Sequence, residues 1–184
     1  MPENQNDIHL FLSLKENDRK SLNVIFLKYY DALLAFSKNF LNENEAEEVV
    51  LDVFFNLWQK KCNLQIKTSL KSYLFAAVRN ACLNEINKKK IHTETIERSN
   101  YVIEIQDQQQ TDDLLLHEET KIKFNRLIEE LPEQCKLIFK LSREEQLSHK
   151  EISAVLDISV HTVNTQIHRA LKFLKSRMYS EISA

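Results

Sequence analysis

The sequence predicts an all-α protein of two small helical domains joined by a flexible acidic linker, and three observations support this fold class. The 184 residues include no glycine, whereas average usage of ~7% would give on the order of 13. Pro2 and Pro132 are the only prolines, and apolar residues recur at helical i, i+3, i+4 spacing. Phosphate-binding loops, dinucleotide-binding turns and nucleophile elbows need glycine and cannot be built here in their usual form.

Four helices are expected in the first half of the chain. Asn42 follows the second of them as a left-handed stop where glycine is unavailable. Asn44 and Glu47 then have the spacing of a capping box, which opens the third helix. The four predicted helices are Ile8–Lys15, Ser21–Leu41, Asn44 to about Lys61, and Thr68 or Ser69 to the cluster Lys88–Lys90.

Another group of helices is expected in the second half. Leu114–Leu131 is followed by Pro132, which is tolerated in the first turn of a helix that extends to about Gln146. Ser148 and Glu151 form a second capping-box pair and begin a short helix. Its inward-facing residues are Ile152, Val155 and Leu156.

The end of the chain predicts a helix-turn-helix. Asp157, Ile158 and Ser159 make a three-residue turn, and Ser159 can cap the final helix. The residues of that helix predicted to face the core are Val163, Ile167, Ala170, Leu171 and Leu174. The opposite face carries His161, Thr162, Thr165, Gln166, His168, Arg169 and Lys172. A short helix, a tight turn and a longer helix with a basic, acid-free face are typical of DNA-binding proteins.

The net charge of −2 conceals a strong segregation of charge. Residues 7–92 hold 13 Lys and Arg against 10 Asp and Glu, residues 93–119 hold one against eight, and residues 120–184 hold 11 against eight. Lys60–Lys90 contains eight bases and one acid, and Ile158–Ser180 contains four bases and no acid. Two acid-poor basic segments in a chain of negative net charge indicate that the protein binds a polyanionic partner, such as a nucleic acid, at two separate places.

Several kinds of site are disfavoured by the sequence. The three cysteines lie far apart without a C-x-x-C pair, which favours a reducing cytosol over a disulfide framework or a Cys-based zinc site. His117–Lys121 begins like the zinc motif H-E-x-x-H but ends in lysine, so we expect neither metal nor cofactor. We also expect a cytoplasmic protein with no signal peptide and no membrane insertion, because no sufficiently long apolar run is present.

Two long motifs resemble the extracytoplasmic-function (ECF) group of bacterial sigma factors. EAEEVVLDVFFNLWQKK followed by SLKSYLFAAVRNACLNEINKKK resembles region 2 of that family. LIEELPEQCKLIFKLSREEQLSHKEISAVLDISVHTVNTQIHRALKFLKSRM resembles its region 4. The resemblance covers roughly residues 20–92 and 120–178. Asn42 and Asp157 stand where relatives often have glycine, but Asn and Asp tolerate the left-handed conformation best among the other residues.

The resemblance implies a dissociable, non-enzymatic subunit of RNA polymerase that selects promoters and assists strand opening. Residues 7–92 would bind the core enzyme and would read and melt the single-stranded −10 element. Residues 114–179 would hold the duplex −35 element, and residues 93–113 would form the linker. The implied partners are core RNA polymerase, promoter DNA and an anti-sigma factor.

Site residues follow from the same motifs. The candidates for polymerase binding are Asp52, Phe55, Asn56, Trp58 and Gln59, although the apolar stripe makes Phe54, Leu57 and Trp58 better candidates for the helical core. The candidates for −10 binding are Lys71, Tyr73, Arg79, Asn80, Asn84, Lys88, Lys89 and Lys90, with Tyr73 expected to be half-buried. The candidates for −35 base readout are Asn164, Thr165, Gln166, His168 and Arg169, and those for −35 phosphates are Thr162, Lys172 and Lys175.

Two other interpretations remain open at this point. A helix-turn-helix regulator could act without polymerase, but it would not need the basic Lys60–Lys90 segment as a melting module. An all-α enzyme or a pure adaptor is the second alternative. The sequence shows no nucleophile–base pair, and an adaptor would not be expected to bind DNA in a salt-dependent way.

Overall fold

The predicted all-α class is confirmed in a computed structural model that describes residues 2–66, 68–93 and 117–182, with side chains in 6–66, 68–90 and 122–178. These ranges contain eight helices and no strand. The helices are α1 (Pro2–Lys15), α2 (Arg19–Ser37), α3 (Glu43–Lys60), α4 (Leu70–Thr93), α5 (His117–Glu129), α6 (Glu133–Arg143), α7 (His149–Leu156) and α8 (Val160–Ile182). Residues 94–116, which hold nearly all of the predicted linker and the first three residues of the predicted Leu114–Leu131 helix, lie outside the described residues.

The chain divides into two compact units, of which the first contains α1–α4. In this unit α2 packs against α1, α3 and α4, and α3 also packs against α4. Its core includes Phe75, which is fully buried and meets Phe36 edge-on at 5.1 Å between ring centroids. Asp7 ties α1 to α2, because its buried carboxylate accepts hydrogen bonds from the Tyr29 hydroxyl and from Lys28 Nζ.

The second unit contains α5, α6, the first part of α7 up to Ser153, and α8. Here α8 packs against both α5 and α6. Four residues spaced along α8 are buried, namely Val163, Ile167, Ala170 and Leu174, which confirms four of the five core positions predicted for this helix. The prediction for the fifth position, Leu171, was wrong. This side chain is 42% exposed, because it lies on the flank of the buried stripe.

The sequence signals at the start of α4 and at both ends of α7 are confirmed in detail. The Ser69 hydroxyl accepts from the backbone N–H of Ser72 at the start of α4. Ser148 and Glu151 form the complete capping box at the start of α7. Asp157 ends that helix in the left-handed region at φ 52°, and its N–H donates to the Ser153 carbonyl.

The predicted boundary between α2 and α3 was wrong. α2 ends at Ser37 instead of Leu41, because the Asn39 side-chain amide donates to two of its last carbonyls, those of Ala35 and Phe36. Asn42 is not left-handed either, since its φ is −67° and it is the N-cap of α3. Its side chain accepts from the N–H of Glu45, so the capping pair predicted at Asn44 and Glu47 lies two residues too late.

Smaller differences occur at other helix ends. α1 begins at Pro2, six residues before the predicted start at Ile8. Pro132 is the N-cap of α6 and not part of its first turn. α6 ends at Arg143, before Gln146, which takes a positive φ of 54°. None of the described helices combines the length and the apolar run that a bilayer span requires.

Candidate nucleic-acid interface

The exposed face of α8 is built on a short, well-satisfied turn. Ser159 caps the helix, because its hydroxyl accepts from the N–H of Thr162 at 3.0 Å and also contacts the Thr162 hydroxyl at 2.8 Å. The Ser153 hydroxyl closes the preceding side of the turn by donating to the Ile158 carbonyl at 2.6 Å. Both helix ends at this turn are therefore held by local hydrogen bonds, which fixes where α8 begins.

Most of the candidate −35 residues share one side of α8. At about 100° per residue, five of them fall within an arc of roughly 100° that lies away from the buried stripe. They are Asn164, Thr165, His168, Lys172 and Lys175, all exposed except Thr165, which is half-buried. This set is called the α8 polar face below. Because the segment Ile158–Ser180 contains no acidic residue, the face has no carboxylate to repel a phosphate.

Three other candidates lie off the α8 polar face. Gln166 is half-buried on the flank towards α6, where its amide N–H donates to Gln134 at 3.3 Å and its backbone carbonyl accepts from the Cys135 thiol. Thr162 is engaged in the helix cap. Arg169 is exposed at the edge of the polar face and has the reach to extend over it.

Two further exposed residues, one at the start of α7 and one at the start of α8, were not among the residues predicted from the sequence. His149, the first residue of α7, lies against Asn164, with 2.5 Å between Nδ1 and the amide oxygen. Val160, the first residue of α8, is 38% exposed. Helical periodicity could have found Val160, but the His149–Asn164 contact joins two helices and carries no signal in the sequence.

The candidate −10 residues divide between opposite sides of α4. Tyr73, Asn80, Asn84 and Lys88 fall within roughly 80° of one another at about 100° per residue. Lys71 and Lys89 fall on the opposite side of the helix. Lys89 forms an ion pair with Glu45 of α3, and the hydrogen bond from this lysine lowers the pKa of the Glu45 carboxyl below its usual value. Arg79 and Lys90 lie on one flank.

The side of α4 that carries Asn80 combines polar groups with an aromatic ring. Asn80 and Asn84 are exposed, and the Asn80 amide oxygen accepts a long 3.5 Å hydrogen bond from Arg79. Tyr73 is half-buried, as predicted, and burial raises the pKa of its hydroxyl above the usual value. This group of exposed amides beside a partly accessible ring is called the α4 amide face below.

The candidate polymerase-binding residues lie along the outer side of α3. Asp52, Asn56 and Gln59 are exposed, and Phe55 is 58% exposed despite being aromatic. Phe54 and Leu57 are buried, which confirms their predicted place in the core. Between α2 and α3 an open cavity of about 270 Å³ is lined by Arg19, Leu22, Asn23, Phe26, Phe54, Phe55 and Trp58.

Trp58 is half-buried at this cavity and is held there by Lys61. The Lys61 ammonium lies 3.4 Å from the centroid of the indole and donates to the Trp58 carbonyl at 2.9 Å. Lys61 is itself buried, so the cation–π contact is shielded from water. Trp58 therefore belongs partly to the packed unit and partly to the outer surface of α3.

The described residues include three free cysteines, of which Cys62 is exposed and Cys82 and Cys135 are buried. No three His, Cys, Asp or Glu side chains converge within the ranges 6–66, 68–90 and 122–178. The side chains of the His117–Lys121 tract lie outside those ranges. Burial raises the pKa of the Cys82 thiol to about 12 and that of the Cys135 thiol above its usual value, so neither is readily deprotonated.

Comparisons with known proteins point to the same two segments. The family model described as sigma-70 region 2 matches residues 25–91, and the one described as sigma-70, region 4 matches residues 121–174. Together they cover about two thirds of the chain. Proteins described as ECF RNA polymerase sigma-E factor are 22% identical in Escherichia coli K12 and 20% identical in Haemophilus influenzae. These alignments cover 97% of this chain and 97% and 98% of those proteins.

Two solved structures have a similar fold. The structure of CnrH in complex with the cytosolic domain of CnrY gives a TM-score of 0.58 at 16% identity, and covers 95% of this chain and 97% of CnrH. The structure of the sigma factor RpoE in complex with the anti-sigma factor NepR, from Bartonella quintana, gives 0.57 at 20% identity. That alignment covers 87% of this chain and 98% of RpoE.

Proposed function

The chain belongs to the sigma-70 family, as a member of its ECF group, and from this premise we propose that it directs core RNA polymerase to a specific set of promoters and assists strand opening. Sigma factors are initiation factors and not enzymes. The chain would act in the cytoplasm as a dissociable subunit, with promoter DNA as its second partner.

The proposal divides the work between the two units. Residues 7–92 would bind core polymerase and would read and melt the −10 element through the α4 amide face. Residues 114–179 would hold the −35 element as duplex, with the α8 polar face in the major groove. Residues 93–113 would link them. At ~3.3 Å per residue an extended linker of this length could span roughly 65 Å, which is enough to connect two promoter elements.

The observation that carries the proposal is the α8 polar face. Amide, hydroxyl, imidazole and ammonium groups share one exposed side of a helix that begins at a capped turn and has no acid between residues 158 and 180. Asn and His side chains can reach base edges, while Lys172 and Lys175 can contact phosphates. A face of this composition favours duplex DNA over a protein partner.

Polymerase binding is proposed for the outer side of α3. Phe55 is a large exposed aromatic side chain with the polar residues Asp52, Asn56 and Gln59 on one side of it along α3. On its other side lie Leu51, which is 45% exposed, and the half-buried Trp58. A central aromatic anchor within a polar rim is the usual composition of a protein–protein interface. Such an anchor supports polymerase binding, which a helix-turn-helix regulator that acts without polymerase would not need.

An anti-sigma factor is the third proposed partner. In both of the similar structures the matching chain is bound to another protein, CnrY in one and NepR in the other, and NepR is described as an anti-sigma factor. We expect such a partner to cover surfaces that the free chain offers to polymerase or DNA, because that would keep the factor inactive until release.

Run-off transcription tests the proposal most directly. Core polymerase is incubated with genomic fragments in the presence and absence of the purified chain. We expect discrete transcripts with defined start points only when the chain is present. DNA binding by the chain without any association with core polymerase would instead favour the regulator that acts without polymerase.

Arg169→Ala is expected to weaken binding of the holoenzyme to the −35 element by about 1–3 kcal/mol, or roughly 5- to 150-fold, because one bidentate base contact contributes that much discrimination. Gel shifts with a duplex that carries the −35 element measure the loss. Arg126→Ala, which removes an exposed arginine from α5, is the matched control and should retain wild-type affinity. If the two variants bind the −35 duplex with equal affinity, Arg169 does not contribute to the DNA interface.

A further inference from the structure

The contact between His149 and Asn164 joins the two helices of the helix-turn-helix at the solvent-exposed side. The two residues lie 15 positions apart in the sequence, and both side chains are exposed. His149 is the first residue of α7, and Asn164 lies in the second turn of α8, within the α8 polar face. A base-reading candidate is therefore held by a residue from the neighbouring helix.

The position of His149 is itself fixed by the start of α7. Ser148 and Glu151 complete a reciprocal capping box, in which each side chain is hydrogen-bonded to the backbone of the other. Since His149 follows directly after Ser148, its backbone has little freedom. The ring therefore projects from a rigid base, and the 2.5 Å contact restricts the Asn164 side chain as well.

The chemistry of the contact determines which group Asn164 shows to a ligand. The Asn164 oxygen is a carbonyl oxygen and can only accept, so the contact is a hydrogen bond in the forms of the His149 ring that carry a proton on Nδ1. With its oxygen turned towards α7, the amide directs its Nδ2 group away from α7, and that group has two N–H donors and no acceptor. A side chain that can normally donate or accept is thus oriented as a donor.

We infer that His149 is a positioning residue for base readout, which orients Asn164 so that its amide donates to a base edge rich in acceptors in the major groove of the −35 element. This inference rests on the proposed function of α8. Guanine offers two acceptors there, O6 and N7. Adenine is read best by an asparagine that accepts from N6 and donates to N7 at once, and the contact with His149 opposes that geometry.

The inference predicts a change in which base is preferred at one position, and not only a change in affinity. In the wild-type holoenzyme, guanine is favoured over adenine at the base that Asn164 contacts. In His149→Ala the amide is released and can turn its oxygen outward to pair with adenine in bidentate fashion. The ratio of guanine to adenine binding at that position is expected to fall by about fivefold or more, in line with the value of one bidentate contact.

The experiment selects −35 duplexes from a pool randomised across that element, with holoenzyme assembled from core polymerase and the full chain, and sequences the bound fraction. Asn164→Ala identifies the relevant position, because it should flatten the base preference there and nowhere else. His149→Ala should alter the same position. In the Asn164→Ala background, the additional His149→Ala change should have no effect on the base preference, since His149 acts through Asn164.

Lys150→Ala is the control for nonspecific effects at the start of α7, because Lys150 is exposed and adjacent to His149. The Lys150→Ala variant should show the wild-type base preference at every position. A His149→Ala variant that loses affinity equally for all sequences would overturn the inference and leave His149 a purely structural role. An Asn164→Ala variant that alters the base preference at no position would overturn it as well. A wild-type holoenzyme that selects no −35 sequence at all would count against the proposed function itself.

Discussion

Asn80→Ala is expected to abolish open-complex formation while core-polymerase binding stays at the wild-type level. Asn80 is an exposed amide at the centre of the α4 amide face, with Tyr73 and Asn84 on the same side of the helix. Its hydrogen bond with Arg79 is long, at 3.5 Å, and therefore weak. Asn80 can exchange this bond for one to a nucleotide at little cost in free energy. The outer side of α3, where polymerase is proposed to bind, is unaffected by the change.

The size of this effect follows from how strands are separated without ATP. Unstacking and unpairing a base cost a few kcal/mol, and the factor can offset that cost only by binding the single strand better than the duplex. Stacking of a base on an aromatic side chain contributes about 1–3 kcal/mol. Because gain and cost are of similar size, the loss of one polar contact to an extruded base is enough to return the equilibrium to the closed duplex.

Permanganate reactivity of thymines in the −10 element measures the open complex. We expect it to fall to background with Asn80→Ala. Asn125→Ala, which removes an exposed helical asparagine from α5 in the other unit, should react as wild type does. Unchanged permanganate reactivity with Asn80→Ala would rule out a role for this amide in melting, whatever its effect on transcription.

Phe75→Ala is expected to destabilise the first unit by about 3–5 kcal/mol, the usual cost of removing a buried phenylalanine ring. Phe75 is fully buried, and its ring meets that of Phe36, so truncation leaves a cavity and removes an aromatic contact. Since whole domains are stable by only about 5–15 kcal/mol, the change should sharply lower the denaturant midpoint. Chemical denaturation followed by the fluorescence of Trp58, the single tryptophan, reports this unit.

Phe55→Ala gives the matched comparison, because it removes the same ring from a site that is 58% exposed. We expect little change in stability but a loss of core-polymerase affinity of about 2 kcal/mol or more, as for aromatic anchors at interfaces. Titration of core polymerase with labelled chain measures that loss. If Phe55→Ala binds polymerase normally and unfolds as easily as Phe75→Ala, Phe55 is a packing residue and the proposed anchor is wrong.

Features that depend on local chemistry were predictable from the sequence. The capping box of α7, the left-handed Asp157 and the Ser159 cap each involve residues within a few positions of one another, so the residue types alone specify the hydrogen bonds. The helical stripes were equally clear, because burial of an amphipathic helix follows its 3.6-residue period. Val163, Ile167, Ala170 and Leu174 are buried for this reason.

Where two local signals competed, the sequence was not decisive. Both Asn42 and Asn44 can cap a helix, and the choice of Asn42 depends on where α2 ends. That end is set by the Asn39 amide, which binds the last carbonyls of α2. Leu171 was misplaced because hydrophobic periodicity does not state how wide the covered stripe of a helix is, and only the neighbouring helices define that width.

By itself the sequence determined the all-α class, the absence of acidic residues from Ile158–Ser180, the separation of charge along the chain, and the residue types available at each face. Only the tertiary structure decided which of those residues are engaged by another helix: Lys89 by Glu45, Gln166 by Gln134, and Asn164 by His149. The physical reason is that periodicity fixes the direction of a side chain about its own helix axis. A partner from a second helix depends on how the two helices pack, which no local pattern encodes.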